Sequence, residues 1–124
     1  MLNISKKKIW VAGHTGMVGR SIVRKFEKEN CKIIKVTRKE LDLLDQSSTE
    51  NWIKKNHPDI IILAAAKVGG IHSNNKYKAN FIYENLMIQS NIINSSYLFE
   101  IKKLLFLGSS CIYPKLSLQP IKED

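Results

Sequence analysis

Three glycines stand three apart, Gly13, Gly16 and Gly19, where the apolar run of "IWVAGHTGMVGRSIVRKF" gives way to a segment with helical spacing. The whole chain has six glycines, so half of them fall where a strand hands over to a helix. Such a turn aims backbone N–H groups outward, and the helix dipole adds partial positive charge, which makes an anion site. Gly13 can take the turn at the strand end, Gly16 has no Cβ to block a diphosphate, and Gly19 lets the helix lie close on the strand. Glycine turns alone are common; a first strand–helix–strand unit of the right lengths is what gives this one meaning.

Further along, the residue types fit the rest of a dinucleotide. The stretch "KIIKVTRKE" ends in Thr37, Arg38 and Lys39. An acidic residue there would bind a ribose 2′-hydroxyl, whereas an arginine accommodates a 2′-phosphate. Arg38 therefore favours NADP over NAD, unless it is only a solvated surface arginine. Asp42 in "ELDLLD" can accept from an adenine amino group, or it can cap a turn. In "LAAAKVGG", Ala64, Ala65 and Ala66 are small enough for a ligand to approach closely. In "LGSSCIYP", Ser109 and Ser110 place hydroxyls where a nicotinamide and a substrate would meet, and Cys111 adds a thiol. By residue type alone the serines are equally turn hydroxyls, and Cys111 a small buried hydrophobe.

The elements that must position these residues are legible as four short apolar runs, 8–12, 32–36, 59–64 and 104–107. They are nearly continuous rather than alternating, as strands buried on both faces are. Between them the spacing predicts helices over 17–29, 47–56 and 75–99. The first carries Val18, Ile22, Val23 and Phe26 on one stripe. The second starts with serine and threonine capping candidates. The third spreads Phe81, Ile82, Leu86, Ile88, Ile92, Ile93 and Tyr97 widely around its circumference, which suggests burial beyond one neighbour, against a partner subunit. This alternation predicts an α/β doubly wound parallel sheet of Rossmann type, incomplete at about four strands, in the order 3-2-1-4.

Composition bounds the partners. The 124 residues carry a net charge of +9, but the lysines are scattered over many elements and only three arginines occur. Nucleic-acid readers concentrate charge and favour arginine, so no nucleic-acid partner is expected; a polyanionic small molecule suits this field. No apolar run reaches the ~20 residues of a membrane span. The N-terminus lacks the apolar region and cleavage site of a signal peptide, so the cytoplasm is the default. The two cysteines, Cys31 and Cys111, are far apart and indicate neither a disulfide framework nor a metal site.

At these motifs the sequence resembles a known family. "AGHTGMVG", "AAAKVGGI" with "NNKY" following, "FIYENLMIQSNII" and "KLLFLGSSCIYPK" together are similar to the GDP-L-fucose synthases, the GDP-4-keto-6-deoxymannose epimerase/reductases of the extended short-chain dehydrogenase/reductase class. The resemblance runs from about residue 8 to 124. It implies epimerisation of a 4-keto GDP-sugar at C3 and C5, then reduction of the C4 ketone by NADPH, in a homodimer joined through long helices. On matching positions it implies that Ser109 hydrogen-bonds the C4 oxygen and Cys111 is the acid/base partner in epimerisation. Gly13, His14, Thr15, Gly16, Met17, Val18, Gly19, Arg38, Asp42, Leu43, Ala64, Ala65, Ala66, Leu107, Gly108, Ser109 and Ser110 would line NADP.

Two departures qualify that expectation. Thr15 stands where some members carry an arginine, which removes one phosphate contact. The class also uses a Tyr-x-x-x-Lys pair to protonate the reduced oxygen. Here Tyr77, Tyr83, Tyr97 and Tyr113 are followed four residues on by Phe81, Met87, Ile101 and Ser117. The family's later histidine acid and its C-terminal GDP-sugar domain have no counterpart. Residues 1–124 are therefore expected to be the N-terminal part of an NADP-binding domain, without the substrate domain and unable to complete the reduction alone. Other readings are one chain of a split enzyme and a non-catalytic nucleotide-binding module.

Overall fold

The computed structural model describes residues 3–109, 112–114 and 116–122. The chain runs β1 (Lys8–Ala12), α1 (Met17–Phe26), β2 (Lys32–Ile34), α2 (Gln46–Asn56), β3 (Ile60–Leu63), α3 (Ile71–Lys76), α4 (Lys78–Leu98) and β4 (Lys103–Phe106). All pairings are parallel, Ile9 lying against Ile33 and Ile60, and Leu63 against Phe106. The α/β doubly wound class is as the sequence implied. The strand order is not: it is β2-β1-β3-β4, rather than 3-2-1-4.

The reason lies in which face each helix covers. Strand residues alternate between faces. Ile9, Val11, Ile60 and Ile62 pack on Val23, with Ile22 and Phe26 of α1 alongside. Trp10, Ala12, Ile61 and Leu63 point the other way, to Ile53 of α2 and Ile92 of α4. Trp10 also stacks at a tilt on Trp52 of α2, with ring centroids 4.3 Å apart. A right-handed crossover moves the chain in opposite directions along the sheet according to the face its helix covers. Since α1 and α2 lie on opposite faces, the second crossover carries the chain back over β1. Among the described residues β2 is therefore left at the edge of the sheet.

Boundaries moved for local reasons. Helix α2 is capped not by the serines but by Asp45, whose carboxylate accepts from the Ser48 N–H at 2.7 Å. The long helix expected over 75–99 is broken at Tyr77, which leaves helical geometry at φ −121°, ψ 41°. Ahead of it, α3 is a six-residue helix with no buried residue. It has no apolar stripe, and so carried no periodic signal. In α4, Ile92, Asn91, Ser95 and Ser96 are buried, while Ile82, Tyr83, Leu86, Ile93 and Tyr97 are exposed. The broad apolar surface of this helix is thus only half covered within the chain.

Candidate functional site

Neighbouring strands β1 and β3 send their connections to opposite faces of the sheet. Such a divergence opens a crevice beyond the carboxyl ends of strands, where open α/β sheets bind ligands. A cavity of about 620 Å³ lies there. Its walls are the glycine turn after β1, the segment 36–44 after β2, residues 64–68 after β3, and Glu84 and Ile88 of α4.

The glycine turn is built for close approach. Gly13 has φ +86°, a left-handed conformation that L side chains rarely adopt. A Cβ there would also stand 2.7 Å from the Ala64 and Ala65 backbone. A Cβ on Gly19 would meet the Gly13 carbonyl oxygen at 2.1 Å, so this glycine lets the first turn of α1 pack under the loop. Gly16 differs: its Cβ would find only the Gly13 oxygen, at an ordinary 3.4 Å. The fold therefore requires glycine at 13 and 19 but tolerates a methyl at 16. Gly16 is the N-cap of α1, with no side-chain cap and no acidic residue in the first turn. The early N–H groups of α1 thus lack a side-chain acceptor, the arrangement that accommodates an anion.

Of the residues expected around a dinucleotide, the cavity brings together Gly13, His14, Thr15, Gly16, Met17, Val18, Arg38, Asp42, Leu43, Ala64, Ala65 and Ala66. Gly19 supports the turn from beneath instead of lining the space. Leu107, Gly108 and Ser109 follow β4 and are not among the lining residues; Ser109 is exposed and its carbonyl accepts from the Ile112 N–H at 3.2 Å. Ser110 and Cys111 lie outside the described residues. Arg38 stays at the rim, with three quarters of its side chain exposed and its Nε 4.0 Å from Asp42 Oδ1. That exposed pair is too loosely held to fix the guanidinium. Asp42 itself makes a turn, Oδ1 accepting from the Leu44 N–H at 3.1 Å.

Three polar features escaped the sequence reading. Glu40 Oε2 accepts from both the backbone N–H and the hydroxyl of Thr37, at 2.8 and 2.7 Å. These bonds, the hydroxyl's first, hold the Glu40 carboxyl below the usual carboxylate range, with His14 adding to the pull. The Thr-x-x-Glu spacing was visible, since it is the pattern of a capping box. Lys67, at the wall after β3, forms an ion pair with Glu84 and lies 5.5 Å from the Phe81 ring centroid. Finally, Trp10 Nε1 and His14 Nδ1 are buried with no hydrogen-bond partner among the described residues. No group of His, Cys, Asp and Glu among those residues could hold a metal ion, and no helix among them is long and apolar enough to cross a membrane.

The family model described as "NAD dependent epimerase/dehydratase family" matches residues 9–124. The chain is 49% identical over 124 residues, all of its length, to the GDP-L-fucose synthase of Sinorhizobium fredii, of which it covers 40%. Over 118 residues, 94% of the chain, it is 56% identical to a putative GDP-L-fucose synthase 2 of Arabidopsis thaliana, of which it covers 36%. Among solved structures it resembles the GDP-mannoheptose C4 reductase of Campylobacter jejuni with NADP bound. That match has a TM-score of 0.88 and 37% identity, and covers 98% of this chain and 36% of that one. The chain thus spans about two fifths of the length of the curated relatives it matches.

Proposed function

The chain belongs to the NAD dependent epimerase/dehydratase family, and on that premise we propose that it is the NADP-binding part of a sugar-nucleotide epimerase/reductase that makes GDP-L-fucose from GDP-4-keto-6-deoxymannose. One observation carries the cofactor half of this reading. The uncapped start of α1 opens, beneath a glycine whose missing side chain the fold does not need, onto a cavity with an exposed arginine at its β2 rim. A diphosphate fits against the first-turn N–H groups, a ribose 2′-phosphate beside Arg38, and the small Ala64–Ala66 wall admits the rest. The sugar-nucleotide half is supported by the names of the relatives, which are GDP-L-fucose synthases.

When bound, NADPH supplies the hydride for a C4 ketone. Two residues of the chain would act on the sugar. The Ser109 hydroxyl hydrogen-bonds the C4 oxygen, and the Cys111 thiol exchanges a proton at carbons that the neighbouring ketone makes acidic; a positioned acid/base of this kind contributes about 10²–10⁴-fold. These 124 residues contain no Tyr-x-x-x-Lys pair to protonate the reduced oxygen. They are therefore expected to bind NADPH without turning over. Calorimetric titration of the 124-residue chain should give saturable NADPH binding, tighter than NADH. Absence of binding overturns the cofactor reading. NADPH consumption at enzyme-like rates with GDP-4-keto-6-deoxymannose overturns the claim that these residues cannot finish the reduction.

A further inference from the structure

The two walls of the cavity are tied to one helix by two asparagines. Asn85 of α4 grips Lys67 at both backbone groups: its Oδ1 accepts from the Lys67 N–H at 2.8 Å, and its Nδ2 donates to the Lys67 carbonyl at 3.0 Å. The Lys67 side chain returns to the same helix through Glu84. Asn91, 4% exposed, donates from Nδ2 to the Leu43 carbonyl at 2.8 Å. Lys67 belongs to the wall after β3, and Leu43 to the wall after β2.

Six residues of helix rise about 9 Å, so α4 grips the cavity at two points on opposite sides of the central glycine turn. Loops otherwise carry the loosest backbone in a fold. Here each wall is also held from outside its own strand. Leu43 lies nine residues past Ile34, the last residue of β2, and its carbonyl, which a turn would leave to solvent, is taken by a buried amide. A buried asparagine that gave up such a bond would leave its amide unsatisfied, which disfavours any other arrangement of the loop.

We propose that Asn85 and Asn91 are positioning residues that set the two halves of the dinucleotide cleft separately, each acting through the backbone it holds. The inference rests on the NADP reading above. With the strand order β2-β1-β3, a diphosphate on the glycine turn sits centrally. The adenosine half then extends over the end of β2 toward Arg38, and the nicotinamide half over the end of β3 toward Lys67. Asn91 governs the first half and Asn85 the second.

Two probes separate these roles on the 124-residue chain: NADPH, and 2′,5′-ADP, which carries only the adenosine half. Asn91→Ala is expected to weaken both by a similar factor, about tenfold for one lost buried hydrogen bond to the wall. Asn85→Ala is expected to weaken NADPH by a similar factor and leave 2′,5′-ADP within about twofold of the unsubstituted chain. General loosening of the fold would lower both ligands in both variants, and that result overturns the proposal, as does unchanged binding. If an alanine variant loses native circular dichroism, Asn85→Asp, which keeps the acceptor and loses the donor, and Asn91→Gln, which moves the amide by one methylene, take its place. The same split is required of them, and its absence overturns the proposal equally. Failure of the unsubstituted chain to bind either probe removes the NADP reading, and this inference with it; binding without the split removes only this inference.

Discussion

Glycines 13, 16 and 19 look alike in sequence and differ in what they do. Adding a methyl at Gly19 drives a Cβ to 2.1 Å from a carbonyl oxygen, so Gly19→Ala is expected to destabilise the fold by at least about 1–3 kcal/mol, as overpacking does. Urea unfolding measures it. Gly16→Ala has room and should change stability little, yet weaken NADPH at least tenfold (about 1.4 kcal/mol) by crowding the diphosphate; calorimetry on the folded variant decides. Arg38→Ser should lower NADPH affinity while sparing NADH, because the guanidinium answers only the 2′-phosphate. Asp59 offers a pH test. The Lys8 backbone N–H, donating at 2.9 Å, and the nearby lysines hold its carboxyl below the ordinary carboxylate range. A depressed folded pKa contributes stability above the unfolded value, and loses it as pH falls through the folded one. Asp59→Asn should therefore cost on the order of 1 kcal/mol at neutral pH and progressively less as acid protonates the carboxylate, seen as a flatter acid limb in urea midpoints.

Among the elements, legibility followed burial. Strands β1 and β3 were read within about a residue because both faces are covered, which leaves an unbroken apolar run. Helix α1 was read from its stripe, although its end was placed three residues late; the helix stops at Phe26, and Glu29 belongs to the turns that follow. The start of α2 was misplaced because Asp45 competes with two serines for the same capping role. Asp45→Ala should cost about 1 kcal/mol, whereas Ser47→Ala should cost a few tenths; thermal melting of the two variants compares them directly. Helix α3 left no signal because it buries nothing. Asn85 and Asn91 sat unremarked in a helix whose apolar residues drew attention, since nothing in a sequence shows which backbone an amide will reach.

At the scale of the whole molecule, apolar surface remains open. Leu105 and Phe106 of β4, an edge strand, are nearly half exposed, and Tyr83 and Tyr97 of α4 more so. Unpaired strand edges and contiguous apolar faces of this kind mark contact surfaces. A polypeptide of these 124 residues is expected to bind an apolar-surface dye and to self-associate as its concentration rises. Sedimentation showing a dye-free monomer at high concentration would contradict this. The sheet's order makes the cavity possible: with β1 flanked by β2 and β3, the glycine turn is central and the other two walls stand on either side of it.

The sequence by itself determined the element types, the parallel sheet, the glycine turn and most of the residues gathered around it. These depend on periodicity, on side-chain volume and on φ preferences, all local properties that neighbours in the chain settle. Only the tertiary structure decided the strand order, because the side a crossover takes depends on which face its helix finds to cover. It alone showed that Gly13 and Gly19 are demanded by packing while Gly16 has room for a methyl, since the atoms that crowd Gly13 belong to Ala64 and Ala65, just past β3 and some fifty residues away along the chain. The asparagine ties from α4 to both walls belong to the same class of fact. They join residues 18 and 48 positions apart, and such partners become neighbours only when the sheet has closed its order.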